Sequence, residues 1–185
     1  MTAIRASNII GYFLPRDLGG IYGQVQYYLG ENPSNVPTKR DGTGAGARLG
    51  YAAGPLDAAV ALSKTRYAAG DVEQNNIAAS WDFGVLKLMG QYSFDKSDAL
   101  KARGTGGMLG IMAPVGSGEI HAAFSKYKVT TAGDPTTSKL AIGYKHHLSK
   151  RTALYVTVAG VDNKGGAAQV LNGALTAPNA KIDCS

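Results

Sequence analysis

A chain of 185 residues with 25 glycines, 17 % charged residues, 44 % apolar residues and a net charge of +6 is neither a coiled coil nor a charge-driven disordered segment. No run approaches the roughly 20 consecutive apolar residues that a membrane-spanning helix needs, which excludes a helical membrane protein. A protein that crosses with strands stays open, because alternating side chains average to a near-neutral hydropathy, here −0.10.

In chain order, short alternating runs predict ten strands, at residues 7–14, 20–29, 45–53, 56–67, 75–83, 85–94, 107–114, 119–129, 139–148 and 152–161. All belong to one unit over residues 1–185, with 162–185 expected as an irregular tail. The fold class is all-β and antiparallel. Each run is near the 9 to 11 residues that cross a bilayer at a tilt. The expected connections alternate between short turns (15–19, 54–55, 84, 115–118, 149–151) and long polar loops (30–44, 68–74, 95–106, 130–138), as in membrane barrels with short turns on one side.

Parity divides each strand into two faces. One face carries Ile77, Trp81, Leu86, Leu88, Ile142 and Tyr144, expected toward lipid. The other carries Gln24, Gln26, Arg48, Lys87, Gln91, Glu119, His121 and Lys145, too polar for a lipid coat and suited to the wall of a water-filled pore. Aromatic residues gather near strand ends (Tyr12, Phe13, Tyr27, Tyr28, Trp81, Phe83, Tyr92, Phe94, Tyr127, Tyr144), as in the girdles at membrane interfaces. On the polar face, Arg48, Lys87, His121 and Lys145 oppose Glu119, Asp57 and Asp82, from which a weak anion preference is expected.

Other chemistries find little support. No nucleophile elbow, Walker-type loop or His-Glu-x-x-His occurs, and the spacing of Asp57, Asp82, Glu119 and His121 requires no catalytic role, so neither enzyme activity nor a cofactor is expected. His146 and His147 are adjacent and point to opposite faces, which removes them as a paired metal site. Cys184 has no second cysteine to pair with. Cations are scattered singly and form no basic stripe, which argues against nucleic acid as a partner. Ser149 is expected to close the turn that exposes Lys150 and Arg151. The opening MTAIRASNII shows no export signal.

The segments SNIIGYFLPRDLGGIYGQVQYYLGEN, GARLGYAAGPLDAAVALSKT, NIAASWDFGVLKLMGQYS, APVGSGEIHAAFSK and IGYKHHLSKRTALYVTVAGVDN resemble the general porins of Gram-negative outer membranes, the β-proteobacterial type above all, over residues 5–166. The LSKRTALY stretch is the most specific of these. The resemblance implies a 16-stranded trimeric barrel of which this chain is a piece, lacking the first five strands, the constriction loop and the closing strand. It further implies outer-membrane lipid as surroundings, small hydrophilic solutes and ions as cargo, and passive diffusion as the activity. The ending NAKIDCS departs from the family's terminal aromatic and is expected to mark a truncation or frameshift. Two other readings are a soluble or surface β-barrel or sandwich that binds a carbohydrate or protein through loops 30–44 and 95–106, and a truncated product without function.

Overall fold

The computed structural model describes residues 7–171 and 181–184. Eleven strands form one antiparallel sheet in which each strand pairs with its neighbours in sequence. They are β1 (Ile9–Phe13), β2 (Ile21–Tyr28), β3 (Thr43–Ala53), β4 (Leu56–Arg66), β5 (Val72–Asp82), β6 (Lys87–Ser97), β7 (Ala102–Val115), β8 (Gly118–Thr130), β9 (Thr136–Ser149), β10 (Thr152–Lys164) and β11 (Lys181–Cys184). Among the described residues β1 pairs only with β2 and β11 only with β10.

The hairpins follow from local chemistry. At the β7–β8 turn Gly116 adopts φ 59°, a left-handed conformation that costs glycine nothing. At the β9–β10 turn the Ser149 hydroxyl accepts the Arg151 N–H at 3.2 Å, so Ser149 closes that turn as the sequence suggests. One irregularity follows, a register shift between Thr152 and Ala153.

Three boundaries differ from expectation. Strands β6 and β7 overrun the expected loop 95–106 and leave only residues 98–101 between them. The polar and glycine-rich stretch there reads as loop, but ladder hydrogen bonds ask for backbone and not for apolar side chains. The contrast between long and short connections is correspondingly weaker than predicted, and only residues 29–42 form an extended loop among those fully described. The turn expected at residue 84 alone occupies 83–86, because the Asp82 carboxylate accepts the Gly84 N–H at 2.8 Å and the Leu86 carbonyl accepts the Phe83 N–H at 2.8 Å. Leu86 therefore sits in a turn and not on a strand face. At the chain end, β10 runs on to Lys164 and residues 181–184 pair with it as β11, where an irregular tail was expected; residues 172–180 and 185 lie outside the described residues.

A soluble sheet of this size would bury one face. Here the buried apolar side chains among the described residues are Tyr28, Ala102, Val161 and Ala167, while Leu88, Ile142 and Leu109 stand 44 %, 53 % and 71 % exposed. The sheet lacks a dry interior of its own, and the large apolar side chains that would fill one lie open.

Candidate functional site

Strand register converts parity into surfaces, since directly paired residues share a face. One row of partners runs Gln24, Arg48, Ala61, Asn76, Ser93, Gly106, Tyr127, Thr137 from β2 to β9. A second holds Ala78, Gln91, Met108, Ser125 and Lys139. A third joins Asp82, Lys87, Met112 and His121, and a fourth Pro114, Glu119, Lys145 and Tyr155. Gln26 stands on β2 two residues from Gln24, opposite Gly46. All eight polar positions singled out in the sequence thus share one face.

The opposite face is apolar. Val60, Ile77 and Tyr92 form one of its rows, Leu56, Trp81, Leu88, Ile111, Ala122, Ile142 and Val158 another, and Ile120, Tyr144 and Val156 a third. Trp81 and Phe83 have ring centroids 6.2 Å apart at the short-turn end. Toward the long-loop end the apolar run gives way to charge: Leu62 is followed by Lys64, Phe94 by Lys96, and Phe124 by Lys126. Lys96 stands opposite Arg103, whereas Lys126 stands opposite Gly107, four residues further along β7. A border that slips along the register in this way is what a level membrane plane produces when it cuts tilted strands. Near the border Lys64 pairs with Asp71 at 2.9 Å and Lys128 with Asp134 at 2.8 Å. In the 98–101 loop, the hydrogen bond and charge of Lys96, 2.8 Å away, hold the Asp98 carboxyl below its ordinary range.

Three of the expected girdle aromatics are on the polar face instead. Phe13 is opposite Gln24, Tyr28 opposite Gly44, and Tyr127 opposite Gly106. Tyr28 and Tyr127, together with Tyr22, show a recurrent arrangement that parity alone does not reveal. Each ring lies over a glycine of the adjacent strand and its hydroxyl reaches a residue two strands away. Tyr22 covers Gly50 and donates to Asp57 at 2.5 Å; Tyr28 covers Gly44 and meets the Thr65 hydroxyl at 2.7 Å; Tyr127 covers Gly104 and Gly106 and donates to Asp95 at 2.5 Å. A Cβ on Gly50 would collide with the Tyr22 ring, so glycine is what lets that ring lie flat against the sheet. The Arg48 guanidinium stacks 5.5 Å from the centre of the same ring.

Around Glu119 the polar face is densest. Its carboxylate accepts Lys145 at 3.0 Å and has His121 at 3.4 Å and His147 at 3.6 Å. His146 is on the other face beside Tyr144, as adjacency requires. A shallow depression of about 300 Å³ on the polar face is bordered by His121, Lys145, Tyr155 and Thr157. The strand carboxylates of this face are all engaged: Asp57 and Asp95 by tyrosines, Asp82 by a turn N–H and Glu119 by Lys145. Among the described residues Arg48, Lys87 and Lys139 make no ion pair. Parity also places Lys139 on this face, although it is not among the positions singled out from the sequence, and the contact of His147 to Glu119 is invisible there because it depends on the β8–β9 register.

A Gram-negative porin family model matches residues 1–166. Outer membrane porin protein 32 of Delftia acidovorans is 34 % identical over 169 residues, which cover 87 % of this chain and 48 % of that protein. The anion-selective porin from Comamonas acidovorans superposes with a TM-score of 0.80 at 31 % identity, over 96 % of this chain and 56 % of that one. The in-vitro folded OmpT of Vibrio cholerae, at 12 % identity and a TM-score of 0.71, shares the fold. This chain spans about half the length of the relatives it matches. Two-faced strands, an exposed apolar band and these likenesses lead to one assignment: the chain belongs to the Gram-negative porin family.

Proposed function

We propose that this chain supplies eleven strands to the wall of an outer-membrane channel through which small hydrophilic solutes and ions diffuse passively. The observation that carries this reading is the sorting of side chains by face across all the registered strands, with Gln24, Gln26, Arg48, Lys87, Gln91, Glu119, His121 and Lys145 on one face and Ile77, Trp81, Leu88, Ile142 and Tyr144 on the other, which fits water on the first and lipid on the second. An open sheet edge in hydrocarbon leaves backbone groups unsatisfied at several kcal/mol each, so in the membrane β1 and β11 need partner strands, supplied by the rest of a full-length porin. A homotrimer is the assembly proposed for that complete barrel.

The channel prefers anions weakly. On the polar face four strand cations, Arg48, Lys87, Lys139 and Lys145, match four strand carboxylates, Asp57, Asp82, Asp95 and Glu119, so the net charge there is nil. The preference comes instead from access. The carboxylates are engaged by hydrogen-bond donors or a lysine, whereas three of the cations make no ion pair among the described residues and keep their charge for a passing ion. The anion selectivity of the Comamonas porin supports this reading.

Planar-bilayer recording under a tenfold potassium chloride gradient tests it, on the refolded chain and on a full-length porin that contains these strands. A reversal potential on the anion side is expected from the full-length channel, and Arg48→Glu with Lys87→Glu should move it to the cation side. A potential that does not respond to either substitution would remove these residues from the lumen.

A further inference from the structure

The apolar face is interrupted by a notch of about 560 Å³ that spans β5 to β8. Ile77, Tyr92, Leu109 and Phe124 wall it, and its floor is Ala79, Gly90 and Gly107. The floor glycines are unlike those beneath the tyrosines. A Cβ on Gly90 would have Leu109 Cδ2 as its nearest atom, at 3.5 Å, and one on Gly107 would have the Gln91 carbonyl oxygen at 3.6 Å, both ordinary contacts. Neither residue has a positive φ. The sheet therefore accommodates a side chain at both positions, and what their bareness does is hold the notch open.

Lys126 stands at the long-loop end of the notch, directly opposite Gly107 in register. It is exposed and makes no ion pair among the described residues, in contrast to Lys64, Lys96 and Lys128 along the same border. Its position is where the apolar band ends, the depth at which a bilayer presents its headgroups. An apolar trough crossing three strand spacings, about 14 Å at roughly 4.8 Å each, with one unneutralised cation at its headgroup end, matches the shape and charge of a single lipid.

We propose that the notch is a binding site for one membrane lipid with an anionic phosphate headgroup, its acyl chain lying over Gly107, Gly90 and Ala79 and its phosphate at Lys126. The site rests on the reading that this face meets lipid. Charge complementarity selects a lipid over a second copy of the chain, since the strand carboxylates of this face, Glu73 and Asp162, are already held by Lys64 and Lys164 and leave none to receive the Lys126 of another copy.

The test uses a full-length porin that contains these strands, refolded into phosphatidylcholine vesicles containing phosphatidylglycerol, extracted into mild detergent and weighed with its retained lipids by native mass spectrometry. One phosphatidylglycerol per chain is expected in preference to phosphatidylcholine. Lys126→Ala should weaken its retention about fivefold, the effect of one lysine near an anionic surface. Gly107→Leu, which fills the floor, should abolish retention of either lipid with the circular dichroism spectrum unchanged. Equal retention of the two lipids, or undiminished retention in both variants, would overturn the site while leaving the face assignment standing. Failure of the unsubstituted full-length porin to enter vesicles would overturn both. Disulfide-linked dimers from Gly107→Cys in a Cys184→Ser background would place a second copy in the notch and likewise overturn it.

Discussion

Leu109 and Met108 are neighbours on β7 with opposite fates under the same substitution. Leu109 is 71 % exposed and belongs to the apolar face between Gly90 and Phe124; Met108 is 40 % exposed and belongs to the polar face between Gln91 and Ser125. A lysine on the lipid side of a transmembrane strand costs about 2–4 kcal/mol at mid-bilayer. Met108→Lys meets water and polar neighbours, and is expected within about 0.5 kcal/mol of the unsubstituted chain. At about 1.4 kcal/mol per factor of ten, Leu109→Lys shifts the unfolding equilibrium by roughly 30- to 700-fold. Urea titration of a full-length porin that contains these strands, refolded in phosphatidylcholine vesicles and followed by circular dichroism, measures both variants. If Leu109 faced water its high exposure would make the substitution harmless. Equal stability of the two variants, or a greater loss for Met108→Lys, would therefore refute the face assignment.

Gly50→Val should lift the Tyr22 ring from the wall and break its bond to Asp57, costing about 1.5–3 kcal/mol in the same titration and narrowing the pore enough to lower single-channel conductance. Tyr127→Phe keeps the ring over Gly104 and Gly106 but loses the hydroxyl bond to Asp95, so stability falls by a similar amount with conductance little changed. Glu119→Gln removes the carboxylate shared by Lys145, His121 and His147, and the reversal potential of the full-length channel should become more anion-selective. Lys139→Glu should move that potential the other way, toward cations.

The antiparallel strands and the division of their side chains were legible because both rest on a period of two, which a register of any kind preserves. Leu88 and Lys87, or Ile142 and Ala141, separate by parity alone. What required coordinates is lateral. Tyr22 over Gly50, with its hydroxyl on Asp57, joins residues 35 apart in sequence, and neither the glycine nor the carboxylate signals the other until three strands are aligned. The same holds for Tyr127, which reads as a girdle aromatic and lies on the polar face. Strand ends were misjudged where polar residues such as those at 95–97 continue the ladder beyond the apolar band. Leu86 was misplaced because Asp82 widens a turn that composition marks only by Gly84.

Trp81 reports which way the apolar face looks in a full-length porin that contains these strands and no other tryptophan. In vesicles made with lipids brominated along the acyl chain its fluorescence should be strongly quenched, most of all by bromines near the headgroup, while aqueous acrylamide has little effect. Full acrylamide quenching with no response to the brominated lipids would place Trp81 in water and contradict the assignment of this face to the bilayer.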